Sequence, residues 1–510
     1  MKWPEKIWML SALVLSCAAV ALEARRHRVL LYPVSHCYNS LLHDFEKVGS
    51  YLSHQDYDVT MIVSSNYNGS KGDLDMSHVD MAYFPAPDGV LTMCDMENLL
   101  ARAEISMIQI INTWTMSSYR FCDTLLKSDL LASLKDKDFD VLIVDRSDWC
   151  SAIVTEYLRV PFITFASVPT AFSEHELARY IHLPTIFTAY SLPMSAGNRI
   201  MNILTHVLMY YIRIFPLMPM NNLKQLHGIN ASRYIADVYE DSVVTLLNSD
   251  QRVDYPHPIY EHEVEVGFLF PSISPTRIPH HLQQSMGNDR LIVISFGSQV
   301  ASLRRDWSET LISALGNFSH KVIWRLNNGK RSAVNIVELP WIPQTALLAS
   351  GQVDLLITHG GMASTMEAIY FGVPMLILPM QAEQAAQAAK LTEYLRVAET
   401  LDLHELTEHR VTESITRLIH KDSEAHRNVM RLSRLISSHP TKPADKLLYW
   451  LNLTASHKQE LDLYTPRKPQ RQHGLQWILL DFVCIIATTL IILLFCFIYS
   501  CKLILKYVFS

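Results

Sequence analysis

The sequence has no basic excess: 44 Lys and Arg stand against 50 Asp and Glu, for a formal net charge of −6. Phosphate backbones are bound by clustered positive charge, so nucleic acid is excluded as a partner. There is no C-x-x-C pair among the 8 cysteines, which removes the usual zinc and redox frameworks. No repeat of solenoid length recurs. Metal motifs fail on inspection: Asp136-Lys-Asp138 has the D-x-D form but lies in a charged turn before a strand. His404 and His409 are five residues apart, and two histidines share a helix face when they are four apart. No metal is expected. Charged residues make up only 18% of the chain and hydrophobic ones 49%, which suits a globular protein with some membrane-associated surface and argues against broad disorder.

A chain of 510 residues exceeds one hydrophobic core, and two domains of ordinary size are expected. Lys2 and Lys6, the apolar run Ile7 to Val20, and Ala19 and Ala21 in A-x-A spacing read as a signal peptide over residues 1–21. Phe482 to Cys501 form an apolar stretch of 20 residues, long enough to span a bilayer as a helix. Lys502 and Lys506 place the tail, 502–510, on the cytoplasmic side. Arg467, Lys468 and Arg471 on the other flank weaken that charge asymmetry, so the single-pass type I orientation rests mainly on the signal. The sequons at Asn68, Asn230, Asn317 and Asn452 all fall on the lumenal side, where they could be glycosylated. Cys37, Cys94, Cys122 and Cys150 are lumenal too; they can pair in three ways or remain buried thiols.

From His27 onward, short β-branched runs alternate with longer amphipathic stretches, the pattern of an α/β protein with parallel strands and helical crossovers. HRVLLYPV, DVTMIV and FDVLIVD form one series; RLIVISFGS, KVIWRL, VDLLITHGG and VPMLILP form a second. The predicted organisation is an N-terminal domain over 22–270, a Pro/Ser/His-rich linker over 271–287, a C-terminal domain over 288–450, and a juxtamembrane segment over 451–481. Met201 to Met220 is apolar but interrupted by His206, Arg213 and two prolines. A buried or acceptor-facing segment fits it better than a second membrane span, with a helix on the membrane surface as the alternative.

The chemistry concentrates between Trp341 and Gln384. Asp354 to Thr358 reads as a strand and Met362 onward as a helix, so Gly360 and Gly361 occupy a strand-to-helix turn. Such a turn offers unpaired N–H groups and the positive end of a helix dipole to a diphosphate, and glycine permits close approach of the phosphate. His359 and Ser364 add side-chain donors. Trp341, three residues before Gln344, supplies a flat face for a uracil ring, and Glu367 supplies an acceptor for ribose hydroxyls. Glu383 and Gln384 follow the strand MLILP, at the sheet edge where open α/β folds keep ligands, and would bind sugar hydroxyls.

This ordered set resembles the signature of the UDP-glycosyltransferase family, which includes the animal UDP-glucuronosyltransferases, and the resemblance extends over the whole chain. It implies the GT-B fold: two facing Rossmann-like domains, with the donor held mainly by the C-terminal one and the acceptor by the N-terminal one. It also implies that Ser298 lies near the diphosphate, that the co-substrate is a UDP-sugar with no other cofactor, that the acceptor is a small lipophilic molecule, and that the protein resides in the endoplasmic reticulum membrane. A homo-oligomer is left open. Two positions depart from the family: Ala363 stands where most relatives have Asn, and Glu383 where Asp is usual.

In the first half, His36 follows the strand HRVLLYPV and Asp145 ends FDVLIVD, matching the family's histidine base and its acidic partner. In an open parallel sheet both strand ends share one edge, so the two can meet. A neutral histidine suits removal of a hydroxyl proton near pH 7; Asp148 is the substitute if Asp145 points inward. Glucuronosyl-transferring relatives carry an Arg where Asn248 stands here, and a neutral amide pairs less well with a carboxylate, which favours glucose over glucuronate. The expected activity is inverting hexosyl transfer, and the alternative is a non-catalytic nucleotide-sugar or lipophile binder that keeps the fold.

Overall fold

A computed structural model describes residues 26–461 apart from 35, 37–39, 70–73, 93, 97–98, 100–103, 168–180, 231–232, 275–276, 299, 301, 327–332 and 381, together with 486, 488–490 and 492–493. The chain divides into Met1–Thr465 and Pro466–Ser510, and the architecture that follows belongs to the first unit. The expected signal 1–21 and most of 482–501 lie outside the described residues. Among those described, no helix is long and apolar enough to cross a membrane.

Thirteen strands are found among the described residues, in two sheets. The first sheet comprises β1 (Arg28–Tyr32), β2 (Asp58–Ser64), β3 (Val79–Phe84), β4 (Val141–Asp145), β5 (Phe162–Ala166), β6 (Thr245–Leu247) and β7 (Glu263–Glu265) in the order β3-β2-β1-β4-β5-β6-β7. The second comprises β8 (Leu291–Ser295), β9 (Lys321–Arg325), β10 (Ile336–Leu339), β11 (Val353–Thr358), β12 (Met375–Ile377) and β13 (Ala398–Thr400) in the order β10-β9-β8-β11-β12-β13. Every pairing is parallel. β4, β5, β8 and β11 are buried along their whole length. A parallel sheet covered by helices on both faces requires this, and it explains why these strands read as unbroken apolar runs. Each sheet reverses its winding once, between β1 and β4 and between β8 and β11. Those switch points open crevices at the carboxyl ends of the strands.

The helices that frame the site are α1 (Ser40–Ser53), α2 (Met107–Lys127), α3 (Cys150–Leu158), α4 (Ala196–Leu226), α5 (Met362–Phe371), α6 (Ala382–Ala389) and α7 (Pro443–Ser456). α1 has two working faces. Leu42, Phe45, Val48 and Leu52, three or four residues apart, pack into the core beneath the first sheet. Ser40, His43, Asp44 and Lys47 face a cavity shared with the second half. α2 begins with a capping box, Ser106 Oγ accepting from Gln109 N and Gln109 Oε1 from Ser106 N. It buries Phe121 and Leu125 in the first core and lays Ile110 and Trp114 against the second.

Two stretches differ from expectation, and a third, Met201 to Met220, is buried only in part. The linker 271–287 contains the helix His280–Met286, because Leu282 and Met286, four residues apart, drop into the second core. Met201 to Met220 lies within α4: Leu217, Met220 and Leu223 reach the first core, while Ile200, Met201, Leu204 and Leu208 are exposed. Among its described side chains the segment is apolar both where it is buried and where it is exposed. α7, expected to be divided between the C-terminal domain (to 450) and the juxtamembrane segment (from 451), packs instead on the first sheet and inserts Ala444, Leu447, Leu451 and Ala455 into its core. Tyr57 Oη donates to Asn452 Oδ1 at 2.7 Å, and Lys458 Nζ lies 2.8 Å from Asp140 Oδ1.

Truncating a fully buried leucine costs about 2–5 kcal/mol, so Leu451→Ala is expected to destabilise the first half. Hydrogen exchange followed by mass spectrometry should show faster exchange in β1 and β4. Faster exchange confined to β8–β13 would contradict this packing.

Candidate functional site

The second half builds a cradle at its switch point. β8 leads into Gly297 and Ser298, and β11 leads into His359, Gly360 and Gly361, the last of which caps α5 with extended backbone. Gly360 has φ +89°, a conformation that favours glycine. A Cβ on Gly361 would lie 2.5 Å from the His359 ring, so the turn closes on the imidazole only because no side chain is present there. His359 Nδ1 lies 3.3 Å from Thr358 Oγ1. Burial and the nearby Arg325 lower its pKa to about 4, leaving the ring neutral.

Arg325, at the end of β9, is a residue that sequence reasoning missed. Its guanidinium is buried beneath the loop after β8 and donates to the carbonyls of Gly297, Ser298 and Val300. It also sits 5.2 Å from the centre of the Trp341 ring. Its one signal in sequence is a charge closing a strand, KVIWR, whose middle three residues are apolar. Gln344 Nε2 donates to Ser364 Oγ at 3.1 Å and to Glu367 Oε2 at 2.8 Å. Glu367 Oε1 accepts from Thr345 Oγ1 at 2.7 Å and from Lys47 Nζ, in the first half, at 3.2 Å. Trp341, Gln344, Ser364, Glu367 and Ser298 therefore line one cavity with Lys47 and Asp44.

That cavity adjoins a larger cleft of about 290 Å³ lined by Ser298, His359, Gly360, Gly361, Ser364, Glu383, Gln384 and Asn248. Glu383 opens onto the cleft, and the surrounding protein raises its pKa. Gln384 Oε1 accepts from Met380 N at 2.8 Å, which fixes the orientation of its amide. Asn248 Nδ2 donates to Ser167 O at 3.3 Å. Asp44 borders both cavities. Burial raises its pKa to about 7, against the opposing effect of Lys47.

The first-half pair is placed differently from the expected dyad. His36 is 3% exposed, with its ring packed edge-on to Trp114 at 5.0 Å and to Phe121 at 5.8 Å. Its Nε2 makes no hydrogen bond, and burial lowers its pKa against the charge of Asp148. Asp145 is fully buried and turned inward. It accepts from Ser147 N at 2.7 Å and Ser167 Oγ at 3.2 Å, and burial raises its pKa to about 6. Asp148 is the carboxyl whose charge acts on His36. It is held by Ser118 Oγ at 2.5 Å, Cys150 N at 3.1 Å and Tyr32 Oη at 3.2 Å. A disulfide joins Cys122 on α2 to Cys150 at the start of α3, selecting among the pairings the sequence left open. Cys37 lies outside the described residues. The sequon residues Asn68, Asn230, Asn317 and Asn452 are all exposed.

Two parallel sheets with a ligand-sized cleft at their carboxyl ends, and a glycine turn opening a helix on one wall, define a two-domain GT-B glycosyltransferase fold. A profile described as UDP-glucoronosyl and UDP-glucosyl transferase matches residues 88–509, and the chain belongs to that family. It is 27% identical to human UDP-glucuronosyltransferase 2A2 over 413 residues, 77% of this chain and 75% of the relative. It is 26% identical to UDP-glucuronosyltransferase 2B33 of Macaca mulatta over 355 residues, 67% of this chain and 66% of the relative. The fold is similar to that of UDP-glucose: anthocyanidin 3-O-glucosyltransferase in complex with UDP, with TM-score 0.59 and 16% identity over 85% of this chain and 99% of that one. It is also similar to Arabidopsis thaliana UGT89C1 complexed with UDP-L-rhamnose, with TM-score 0.56 and 15% identity over 84% of this chain and 100% of that one.

The buried acids set a pH dependence. Asp44 and Asp145 have folded pKa values near 7 and near 6, above the ordinary 3.8. Between about pH 4 and pH 7 the folded state therefore binds more protons than the unfolded one, and these groups make stability fall as pH rises. Melting temperatures measured from pH 5 to pH 8 should decline less steeply in Asp44→Asn and in Asp145→Asn than in the unsubstituted protein. Equal or steeper slopes would contradict the assignment.

Proposed function

We propose that the protein transfers a neutral hexose, with glucose favoured over glucuronic acid, from its UDP-sugar to a hydroxyl or carboxyl of a small lipophilic acceptor, inverting the anomeric carbon. The observation that carries this reading is the convergence of Trp341, Glu367, Ser364, Ser298 and the Gly360-Gly361 turn on adjoining cavities at one switch point. Trp341 stacks the uracil, Glu367 accepts from the ribose hydroxyls, and the N–H groups that open α5 take the diphosphate, with Ser298, His359 and Gln344 around it. Glu383 and Gln384 contact the sugar. Among the described residues lining the cleft, the only Lys or Arg is Lys390, which is ion-paired with Asp254. A uronate carboxylate would thus meet Asn248 and Glu383 without a cation to spare.

For the chemistry, His36 takes the acceptor's proton while the acceptor oxygen forms its bond to the anomeric carbon. The bond from that carbon to the β-phosphate oxygen breaks, and its electron pair leaves with UDP. Neutral His36, with Nε2 free of hydrogen bonds, suits the base, and Asp148 stabilises the resulting imidazolium; Asp145 stands behind it as a second carboxyl. Leu183, Pro184 and Ile186 give the cleft an apolar wall for the acceptor. The protein would work on the lumenal side of the endoplasmic reticulum as a single-pass type I membrane protein.

Burial of the His36 ring against Trp114 and Phe121 favours one second reading, a binder of nucleotide sugars that keeps the fold without turnover. Membranes from expressing cells, incubated with labelled UDP-glucose or UDP-glucuronate and a phenol panel, separate the two. Turnover with UDP-glucose is expected, falling about 10²–10⁴-fold in His36→Ala with donor KM changed only a few-fold. UDP binding without transfer to any acceptor would establish the binder instead.

A further inference from the structure

The donor cavity is lined from both halves, and the first half contributes its charge. Lys47 on α1 is 4% exposed, and its ammonium lies 3.2 Å from Glu367 Oε1, 3.7 Å from Asp44 Oδ1 and 6.0 Å from the centre of the Phe270 ring. It shares the cavity with Gly297, Ser298, Ala363 and Ser364, the residues where the loop after β8 meets the start of α5. Ala363 brings no side-chain donor to that wall. Of the other Arg side chains lining the cavity, Arg325 is turned onto three backbone carbonyls, and Arg277 is exposed, where solvent weakens its charge, unlike the buried Lys47. A diphosphate seated at the α5 turn adds negative charge beside two carboxyls, Glu367 and Asp44. It needs a mobile cation within reach, and a lysine's flexible stem can supply one.

We propose that Lys47 is a donor-binding residue supplied by the first half, its ammonium shared between Glu367 and the diphosphate of the bound UDP-sugar. The assignment rests on the UDP-sugar reading above and adds to it the chemical group that Lys47 recognises. Burial opposes the lysine's charge, but Glu367 and Asp44 more than offset this and hold its pKa above the ordinary value, so the ammonium is charged when the nucleotide arrives. Asp44 Oδ1 accepts no hydrogen bond and lies too far from Lys47 Nζ for one, so Glu367 is the lysine's hydrogen-bonded partner. Through this pair, donor binding also draws α1 and α5 together.

The test compares UDP with uridine on the detergent-solubilised full chain, by isothermal titration with Lys47→Met, Lys47→Arg and Glu367→Gln. Uridine reports the uracil and ribose contacts, and the ratio of UDP to uridine affinity reports the diphosphate. Lys47→Met should weaken UDP at least tenfold and uridine no more than twofold, while Lys47→Arg should keep most of the ratio. Glu367→Gln, which weakens the lysine's hold on its carboxylate, should lower both affinities but leave the ratio the same or larger. Equal losses for UDP and uridine in Lys47→Met, or no loss of UDP, overturn the proposal and leave Lys47 as a fastening between the halves. If Lys47→Met fails to fold, a lower ratio in Glu367→Gln overturns it and an unchanged or larger ratio supports it. If the unsubstituted protein binds neither ligand, the UDP-sugar reading falls and takes this inference with it. Sound uridine and UDP binding with a ratio indifferent to Lys47 sinks the inference alone.

Discussion

Removing an ammonium from water costs several kcal/mol unless carboxylates and hydrogen bonds replace the solvent. Lys47 meets that condition because α5 presents Glu367 to it from the opposite half of the molecule, with Asp44 on its own helix as a second carboxyl. The requirement acts both ways: Glu367 is also buried, and it is satisfied by Thr345 and Gln344 on its own side and by Lys47 across the gap. Separating the halves would expose an uncompensated charge on each. The position of α1 over the cavity is therefore tied to the integrity of the cradle, and the Lys47–Glu367 pair adds a buried charge contact to the apolar packing that already joins the two halves through Ile110, Trp114, Val253 and Phe268.

Around that contact the site follows from parallel-sheet topology. Each sheet reverses its winding once, and the backbone at the reversal is left for loops, glycines and ligands. In the second half the loop after β8 is braced from below by the buried guanidinium of Arg325, which also lies against Trp341. One side chain thus holds both the loop bearing Ser298 and the aromatic platform. In the first half, His36 and Asp148 lie among aromatic and hydroxyl side chains tied together by the Cys122–Cys150 bridge. The neutral imidazole there is a consequence of burial rather than of a hydrogen-bonded carboxylate.

How much of this was legible in the sequence depended on whether neighbours in space were neighbours in the chain. The alternation of strand and helix, the two series of strands and the Gly360-Gly361 turn could be read because each is local. Trp341, Gln344, Ser364 and Glu367 could be placed together because they share one stretch. Lys47 could not, since its partner is 320 residues away and a lysine on an amphipathic helix ordinarily reads as solvated. The return of α7 to the first sheet left no local mark either, because Leu447 and Leu451 would fit either core. The inward turn of Asp145 and the nearness of Asp148 to His36 depend on how the chain leaves β4, where Ser147 N caps the carboxylate within two residues. The helix His280–Met286 shows the opposite failure: its Leu282/Met286 spacing was present but masked by the Pro, Ser and His around it.

The most direct measurement is a crystal structure of the protein soaked or grown with UDP. Uracil is expected to stack on Trp341, with the ribose hydroxyls at Glu367 and the diphosphate at the amino end of α5 between Gly361 and Ser298. UDP bound elsewhere, or side chains filling the space between Trp341 and Gly361 with UDP present, would contradict this placement.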